Sequence, residues 1–201
     1  MSIIGIDEVG RGALAGPVVV AALLIRKGFR VKKRLGKLLL RDSKSLSALG
    51  REKWFRYIKE EEKISFVTSR VYQRGIEKMN ITRAANFSAV KAFRRLQKSV
   101  HSKKYKVILD GGLYLKIGSK SLDVNSRTIV KGDQKFDAIK LASIVAKVTR
   151  DRYMKNLHKV YPKYGFYLHK GYGTAKHIRA IKKYGVSDVH RLTFLKNYIK
   201  L

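Results

Sequence analysis

Four acidic residues, in a chain short of acids, stand where chemistry could be done. The apolar run Ile3-Ile4-Gly5-Ile6 ends in Asp7-Glu8, Tyr105–Leu109 ends in Asp110-Gly111-Gly112, and Arg127–Val130 leads into Lys131-Gly132-Asp133. Each is a stretch of strand length that delivers a carboxylate beside glycine. If the strands are neighbours, Asp7, Glu8, Asp110 and Asp133 converge at one sheet edge as an all-oxygen ligand set. Such a set selects hard cations: Mg²⁺ or Mn²⁺ takes one or two carboxylates and completes its shell with water and substrate phosphate. Two such ions, about 4 Å apart, activate water on one side of a phosphodiester and stabilise the leaving oxygen on the other. The expected reaction is therefore phosphodiester hydrolysis. Clustered carboxylates repel one another until metal neutralises them, so the ions are part of the design.

Simpler roles compete for each acid. Asp110, before Gly-Gly, reads by itself as a turn residue, and Asp137 as a helix N-terminal acid favoured by the dipole. Asp7-Glu8 resists this, because adjacent residues on a regular strand face opposite ways; only an irregular strand end turns both to one site. The Gly10-Arg11-Gly12 segment that follows has a backbone able to approach a ligand closely.

Composition points to the partner. Lys+Arg number 46 against Asp+Glu 14, a formal net charge of +32. That excess attracts polyanions, above all nucleic acid. A membrane partner is not expected, since no helix pairs a basic face with a broad apolar one and the longest apolar run, Val18–Ile25, is far short of the roughly 20 residues that span a bilayer. The acids at Asp7 and Glu8 do not fit a signal peptide. With no cysteine, disulfides and thiolate metal sites are excluded and a cytoplasmic location is expected. At 201 residues and 45% hydrophobic composition, one domain is expected, with a core over roughly residues 1–160 and a basic, aromatic, substrate-binding segment over 161–201.

The positioning elements follow from periodicity. Ser2–Asp7, Val18–Ile25, Ile64–Val71, Tyr105–Leu109 and Arg127–Val130 are expected strands, and Arg26–Lys37 an exposed basic connector. Ser47 caps an expected helix running to about Glu62. A second spans about Thr82–Val100, with Ala89, Val90, Phe93, Leu96 and Val100 at helical spacing. A third spans Asp137–His158, with Ala138, Leu141, Ala142, Val145, Val148 and Arg152 on one face. A last one spans Ala175–Tyr184, before a basic C-terminal segment.

Taken together, the motifs resemble the type 2 ribonucleases H (ribonuclease HII). They are Gly5–Gly12, Leu14-Ala15-Gly16-Pro17-Val18-Val19, Asp42-Ser43-Lys44-Ser45-Leu46-Ser47, Leu109-Asp110-Gly111, Lys131-Gly132-Asp133, Ala142–Asp151, His169–Thr174 and His190-Arg191. The resemblance implies an α/β, ribonuclease-H-like fold: a mixed central sheet flanked by helices, with a helical C-terminal segment. It implies Mg²⁺ or Mn²⁺ dependence and cleavage of RNA in RNA–DNA hybrids and of single ribonucleotides in duplex DNA, leaving 3′-hydroxyl and 5′-phosphate ends. The family's four acids fall on Asp7, Glu8, Asp110 and Asp133, the last chosen over Asp137 by its distance from Ala142-Ser143-Ile144. Gly10, Arg11 and Gly12 match the element that reads the ribose 2′-hydroxyl through its backbone, and Tyr172 matches the tyrosine at the RNA-to-DNA junction. Ser43, Lys44, Lys170 and Arg191 are expected on substrate phosphates. A monomer is expected, with a replication clamp as a further partner. The chain departs from the family pattern at Ile76-Glu77, Asn80-Ile81 and Ala84-Ala85, where a substrate-contacting threonine is missing.

Two alternatives share part of this pattern. A basic RNA-associated binding protein would explain the charge but not the acids. A two-metal nuclease or resolvase of similar fold acting on DNA alone would explain the acids but not Gly10-Arg11-Gly12 with Tyr172.

Overall fold

In a computed structural model of the chain, residues 1–100, 104–117 and 120–199 are described. In chain order the elements are β1 (Ser2–Val9), β2 (Val18–Ile25), β3 (Arg34–Leu35), β4 (Leu38–Leu39), α1 (Ala48–Glu60), β5 (Ile64–Val71), α2 (Gln73–Met79), α3 (Ile81–Ser99), β6 (Tyr105–Asp110), β7 (Lys116–Ile117), β8 (Lys120–Ser121) and β9 (Ser126–Ile129). They continue with α4 (Gly132–Lys135), α5 (Asp137–Val160), α6 (Phe166–His169), α7 (Ala175–Tyr184) and α8 (Leu192–Leu195). Five strands form the central sheet in the order β5-β2-β1-β6-β9. The hairpin side is antiparallel, whereas β1 to β6 and β6 to β9 are parallel. The sheet is thus mixed, as expected.

Side-chain alternation sends β1 to two different cores. Ile4 and Ile6 pack with Ala85, Ala89 and Phe93 of α3 on one face. On the other, Ala138, Leu141, Ala142 and Val145 of α5 cover the sheet together with Trp54 and Ile58 of α1. Gly5 faces α5, and a Cβ there would lie 2.2 Å from the Ala138 carbonyl carbon. Only glycine lets the helix approach β1 so closely. A third cluster, with Leu14, Met154, Tyr164, Phe166, Ile181 and Leu195, fastens the C-terminal helices to the loop after β1.

The main elements lie where periodicity put them, and Ser47 caps α1 by accepting the Gly50 amide at 3.1 Å. Four details differ. The basic connector is not wholly exposed: Val31 is buried, and a small hairpin turns at Gly36, whose φ is 59°. Helix α2 is additional, since only Ile76 within it is buried and Gly75 weakens the helical signal. Asn80, at φ 62°, separates α2 from α3 and caps the latter by accepting from the Arg83 amide at 3.0 Å. On α5 the buried arginine is Arg150, not Arg152, which is exposed and bonds Glu52 at 2.5 and 3.2 Å. Among the described residues no helix is long and apolar enough to cross a membrane.

Candidate active site

Parallel pairing places Ile6 beside Leu109, so the next residues, Asp7 and Asp110, sit side by side where β1 and β6 part. Contrary to expectation, β1 does not end irregularly at Asp7; it stays paired with β2 through Val9 opposite Val19. Its two acids therefore leave opposite faces of the strand. Asp7 takes a hydrogen bond from Ser143 of α5, while Glu8 Oε1 accepts from Arg11 Nη1 at 3.2 Å on the α3 side. Arg11 also reaches Gly112 O and Thr82 Oγ1, at 3.3 and 3.4 Å. Both acids reach one edge because they straddle the end of β6, not because the strand breaks.

Asp110 connects the remaining acid. Its Oδ1 accepts from the amides of Gly132, at 2.7 Å, and Asp133, at 3.4 Å, so the turn after β9 is pinned to the end of β6. Gly132 leaves room for this: a Cβ there would press on Ile139 Cδ1 at 2.5 Å and approach Asp110 Oδ1 to 3.3 Å. Burial, then Glu8 and Asp110, raises the Asp7 carboxyl well above the usual carboxylate range. Glu8 is also raised by burial, with Arg11 opposing and Asp110 adding to the shift. Asp133 is raised by burial and by Asp110 and Asp42, with Lys44 opposing. The four acids thus share one electrostatic site.

The donor set fits a hard divalent ion. Glu8 Oε2 is buried and has no protein hydrogen-bond partner, and the mutual repulsion of the acids is what a cation would relieve. Among the described residues no three acidic or histidine side chains form a ready-made cage. The open arrangement fits Mg²⁺ or Mn²⁺, which keep water and take substrate oxygens.

The residues expected on substrate take different places. Arg11 bonds Glu8 and Lys44 lies close enough to Asp133 to act on it, whereas Tyr172 pairs with Ala13 in the loop that carries Gly10-Arg11-Gly12, its ring 5.3 Å from the Arg150 guanidinium carbon and 5.9 Å from Lys147 Nζ. Ser43 and Arg191, expected on substrate phosphates, are both buried. Ser43 is buried and its hydroxyl bonds Ser143 Oγ at 2.6 Å, which places it behind Asp7. Arg191 is fully buried, and its guanidinium donates to Gly16 O and Arg11 O at 2.8–3.0 Å. With no exposed surface, it holds the loop from beneath. Lys170 is half-buried at φ 53°, its carbonyl accepting from Arg150 and its ammonium turned to Tyr167 O.

Sequence reasoning gave no role to Arg150 or the histidines. Arg150 donates to Pro17 O, Lys170 O and Ala15 O at 2.8–3.0 Å, joining the loop after β1 to the Tyr172 turn. A Cβ on Gly10, at φ 91°, would meet Arg150 Nε at 2.2 Å. His169, His177 and His190 are buried beneath the same turn, His177 Nδ1 bonding Tyr172 O at 3.0 Å. The available signal was a run of lone polar residues in a helix and tail otherwise patterned for burial.

A family profile described as Ribonuclease HII matches residues 4–197. The chain belongs to the ribonuclease HII family. The Ribonuclease HII of Ruminiclostridium cellulolyticum is 40% identical over 198 residues, covering 98% of this chain and 71% of that protein. The ribonuclease H2 from Pyrococcus horikoshii OT3 superposes with a TM-score of 0.72 at 24% identity, covering 98% and 97% of the two chains. The PCNA:RNase HII complex from Archaeoglobus fulgidus gives 0.70 at 21% identity, covering 96% and 94%. Bst-RNase HIII in complex with Mn²⁺ gives 0.75 at 20%, covering 92% and 63%. These structures share the ribonuclease-H-like fold of this chain. Membership of the ribonuclease HII family makes the chain an endoribonuclease H, a divalent-metal-dependent endonuclease acting on the RNA of RNA–DNA hybrids.

Proposed function

We propose that the chain also incises duplex DNA at single embedded ribonucleotides, leaving 3′-hydroxyl and 5′-phosphate ends, and serves ribonucleotide and primer removal in replication and repair. The observation that carries the site is Asp110 on β6 flanked by Asp7 and Glu8 on β1 and by the Asp133 turn, with Glu8 Oε2 buried and unpartnered. Asp7, Glu8, Asp110 and Asp133 would hold two Mg²⁺ or Mn²⁺ ions. When bound, these ions supply water activation and leaving-oxygen stabilisation at the scissile phosphate. The protein orients the acids: Ser143 and the Glu8 amide hold Asp7, the latter at 2.7 Å, and Gly132 holds Asp110. Gly10-Arg11-Gly12, kept rigid by Arg150 and by Arg191 on Arg11 O, meets the 2′-hydroxyl, which separates RNA from DNA locally. Tyr172 packs against the sugar at the junction, and Lys44 and Lys170 screen phosphates.

We read the chain as a single catalytic unit, monomeric and cytoplasmic. The likeness in fold to the Archaeoglobus fulgidus complex supports a replication clamp as a further partner.

The test is cleavage of three labelled duplexes, one with a single ribonucleotide, one all-DNA and one long hybrid, with Mg²⁺ and Mn²⁺ compared and the product ends mapped. Incision at the ribonucleotide with a 5′-phosphate product, and none of all-DNA, is expected. Equal cutting of the all-DNA duplex would favour a DNA nuclease instead.

A further inference from the structure

A cavity of about 510 Å³ lies between α1, α5 and α6, beside the Tyr172 turn. Five cations line it, Arg51, Lys147, Arg152, Lys155 and Lys170, against two acids, Asp151 and Glu52. Both acids are already engaged. Asp151 accepts from Lys147 Nζ at 2.8 Å and stands 3.6 Å from Arg51 Nη2, so one carboxylate faces two cations. Glu52 is held by Arg152. The cavity keeps an excess of three positive charges, and like charges gathered in a concavity concentrate anions there. Burial lowers the Lys170 ammonium, with Lys155, Lys147 and Arg51 adding to the effect and Asp151 opposing it. These cations therefore repel one another in the absence of an anion.

Its neighbours say which anion. Arg51 donates to Ser43 O at 2.9 Å and Leu46 O at 2.5 Å, anchoring the loop that carries Lys44. Lys147 also lies over the Tyr172 ring. The cavity wall is thus built into the loop that carries Lys44 and into the Tyr172 turn, which pairs with Ala13 just after the β1 acids, so a strand running from the acids past Tyr172 would meet the cavity next.

We propose that this cavity binds a backbone phosphate of the duplex flanking the cleaved ribonucleotide, on the Tyr172 side, and so sets how much duplex the enzyme requires there. This rests on the proposed incision at ribonucleotides for the register, but the phosphate site itself is read by binding alone. Arg51 and Lys147 are fixed by Asp151 and form the floor, whereas Lys155, exposed on α5, closes over the phosphate from solvent.

Lys155→Gln tests it, because an exposed lysine can be replaced without loss of the fold. Binding of ribonucleotide duplexes with short flanks, or extended on one side or the other, is measured by fluorescence anisotropy without divalent ion over a salt series. The expected result is weakening by about 3- to 10-fold for the duplex extended on one side only, with the salt slope reduced by about one and the short duplex unaffected. Lys159→Gln, which removes a charge on α5 outside the cavity, should show no such dependence on length. Equal weakening for every duplex, or no weakening, would each overturn the proposal. Should wild-type protein fail to cut at a ribonucleotide while the one-sided binding effect stands, the incision reading fails and the phosphate site does not.

Discussion

Glu8 shares its carboxylate unequally: Oε1 accepts from Arg11 Nη1 at 3.2 Å, while Oε2 is buried with no partner in the protein. Arg11 offsets part of the charge that burial penalises, and the free oxygen is left for a ligand. Without a cation, Asp7 beside Glu8 is a cost to the fold, and with one it becomes a gain.

Thermal melts should therefore separate metal-free from metal-bound protein. Asp7→Asn removes a buried charge repelled by Glu8 and Asp110, and is expected to raise metal-free stability by about 1 kcal/mol. Wild-type protein at about 100 times its metal Kd should gain about 2.7 kcal/mol, roughly 5–10 °C in Tm. Asp7→Asn should lose most of that gain. An equal metal-induced shift in both proteins would count against these ligands.

Arg191→Ala should be severe although the residue lies on no exposed surface. It leaves Gly16 O and Arg11 O without their donors and empties a fully buried site, for an expected loss of about 3–5 kcal/mol in urea unfolding. Arg191→Lys, which keeps the charge but not the fork, should fall between. Wild-type stability for the alanine variant would show that the loop holds itself.

The buried histidines set an acid limit. His177 Nδ1 donates to Tyr172 O, so its Nε2 accepts from His190 Nε2 at 3.2 Å, and His190 Nδ1 accepts from Ser187. His169 likewise donates to Tyr164 O and accepts from the Gly171 amide. Every ring nitrogen is used with neutral rings, and this tautomer assignment follows from the partners. Burial first, then His169, lowers His177 to about 4, and burial lowers His190 to about 4. Their folded values lie below the ordinary 6.5, so the unfolded chain binds more protons between those limits. Stability contributed by these rings is present above about pH 6.5 and falls progressively as pH drops toward 4. Denaturation midpoints across that range, with His177→Gln for comparison, should show the slope in wild type and a shallower one in the variant.

Gly5→Ala tests the contact that sets helix against sheet. Its new methyl would overlap the Ala138 main chain, which cannot move as a side chain can, and an expected 2–4 kcal/mol, about the cost of overpacking a rigid core, should be lost. Ala138→Gly would not rescue it, because the clash is with backbone. A neutral Gly5→Ala would mean that α5 shifts freely.

Local pattern carried most of the fold. Strands β1, β2, β5, β6 and β9 and helices α1, α3, α5 and α7 announce themselves by period and by caps such as Ser47; Asp7, Glu8 and Asp110 lie at the ends of β1 and β6, and Asp133 follows β9. What the pattern could not show is long-range. Ser43 and Arg191 look like surface polar residues in the sequence, and only the packing of distant segments reveals that one backs Asp7 and the other bonds Arg11, 180 positions away. The faces of Asp7 and Glu8 were misjudged for the same reason: pairing with β2 continues through Val9, and convergence comes from where β6 ends. Helix α2 escaped notice because one buried residue, Ile76, makes no period.

The most direct test of the metal-acid site is single-turnover cleavage by wild type and Asp7→Asn of a duplex with one ribonucleotide, with binding measured in parallel. The site predicts cleavage at the ribonucleotide only in the presence of Mg²⁺ or Mn²⁺, a loss of at least about 100-fold in Asp7→Asn, and duplex affinity kept within a few-fold. Undiminished cleavage by Asp7→Asn, or cleavage by wild type with all divalent ions chelated, would contradict it.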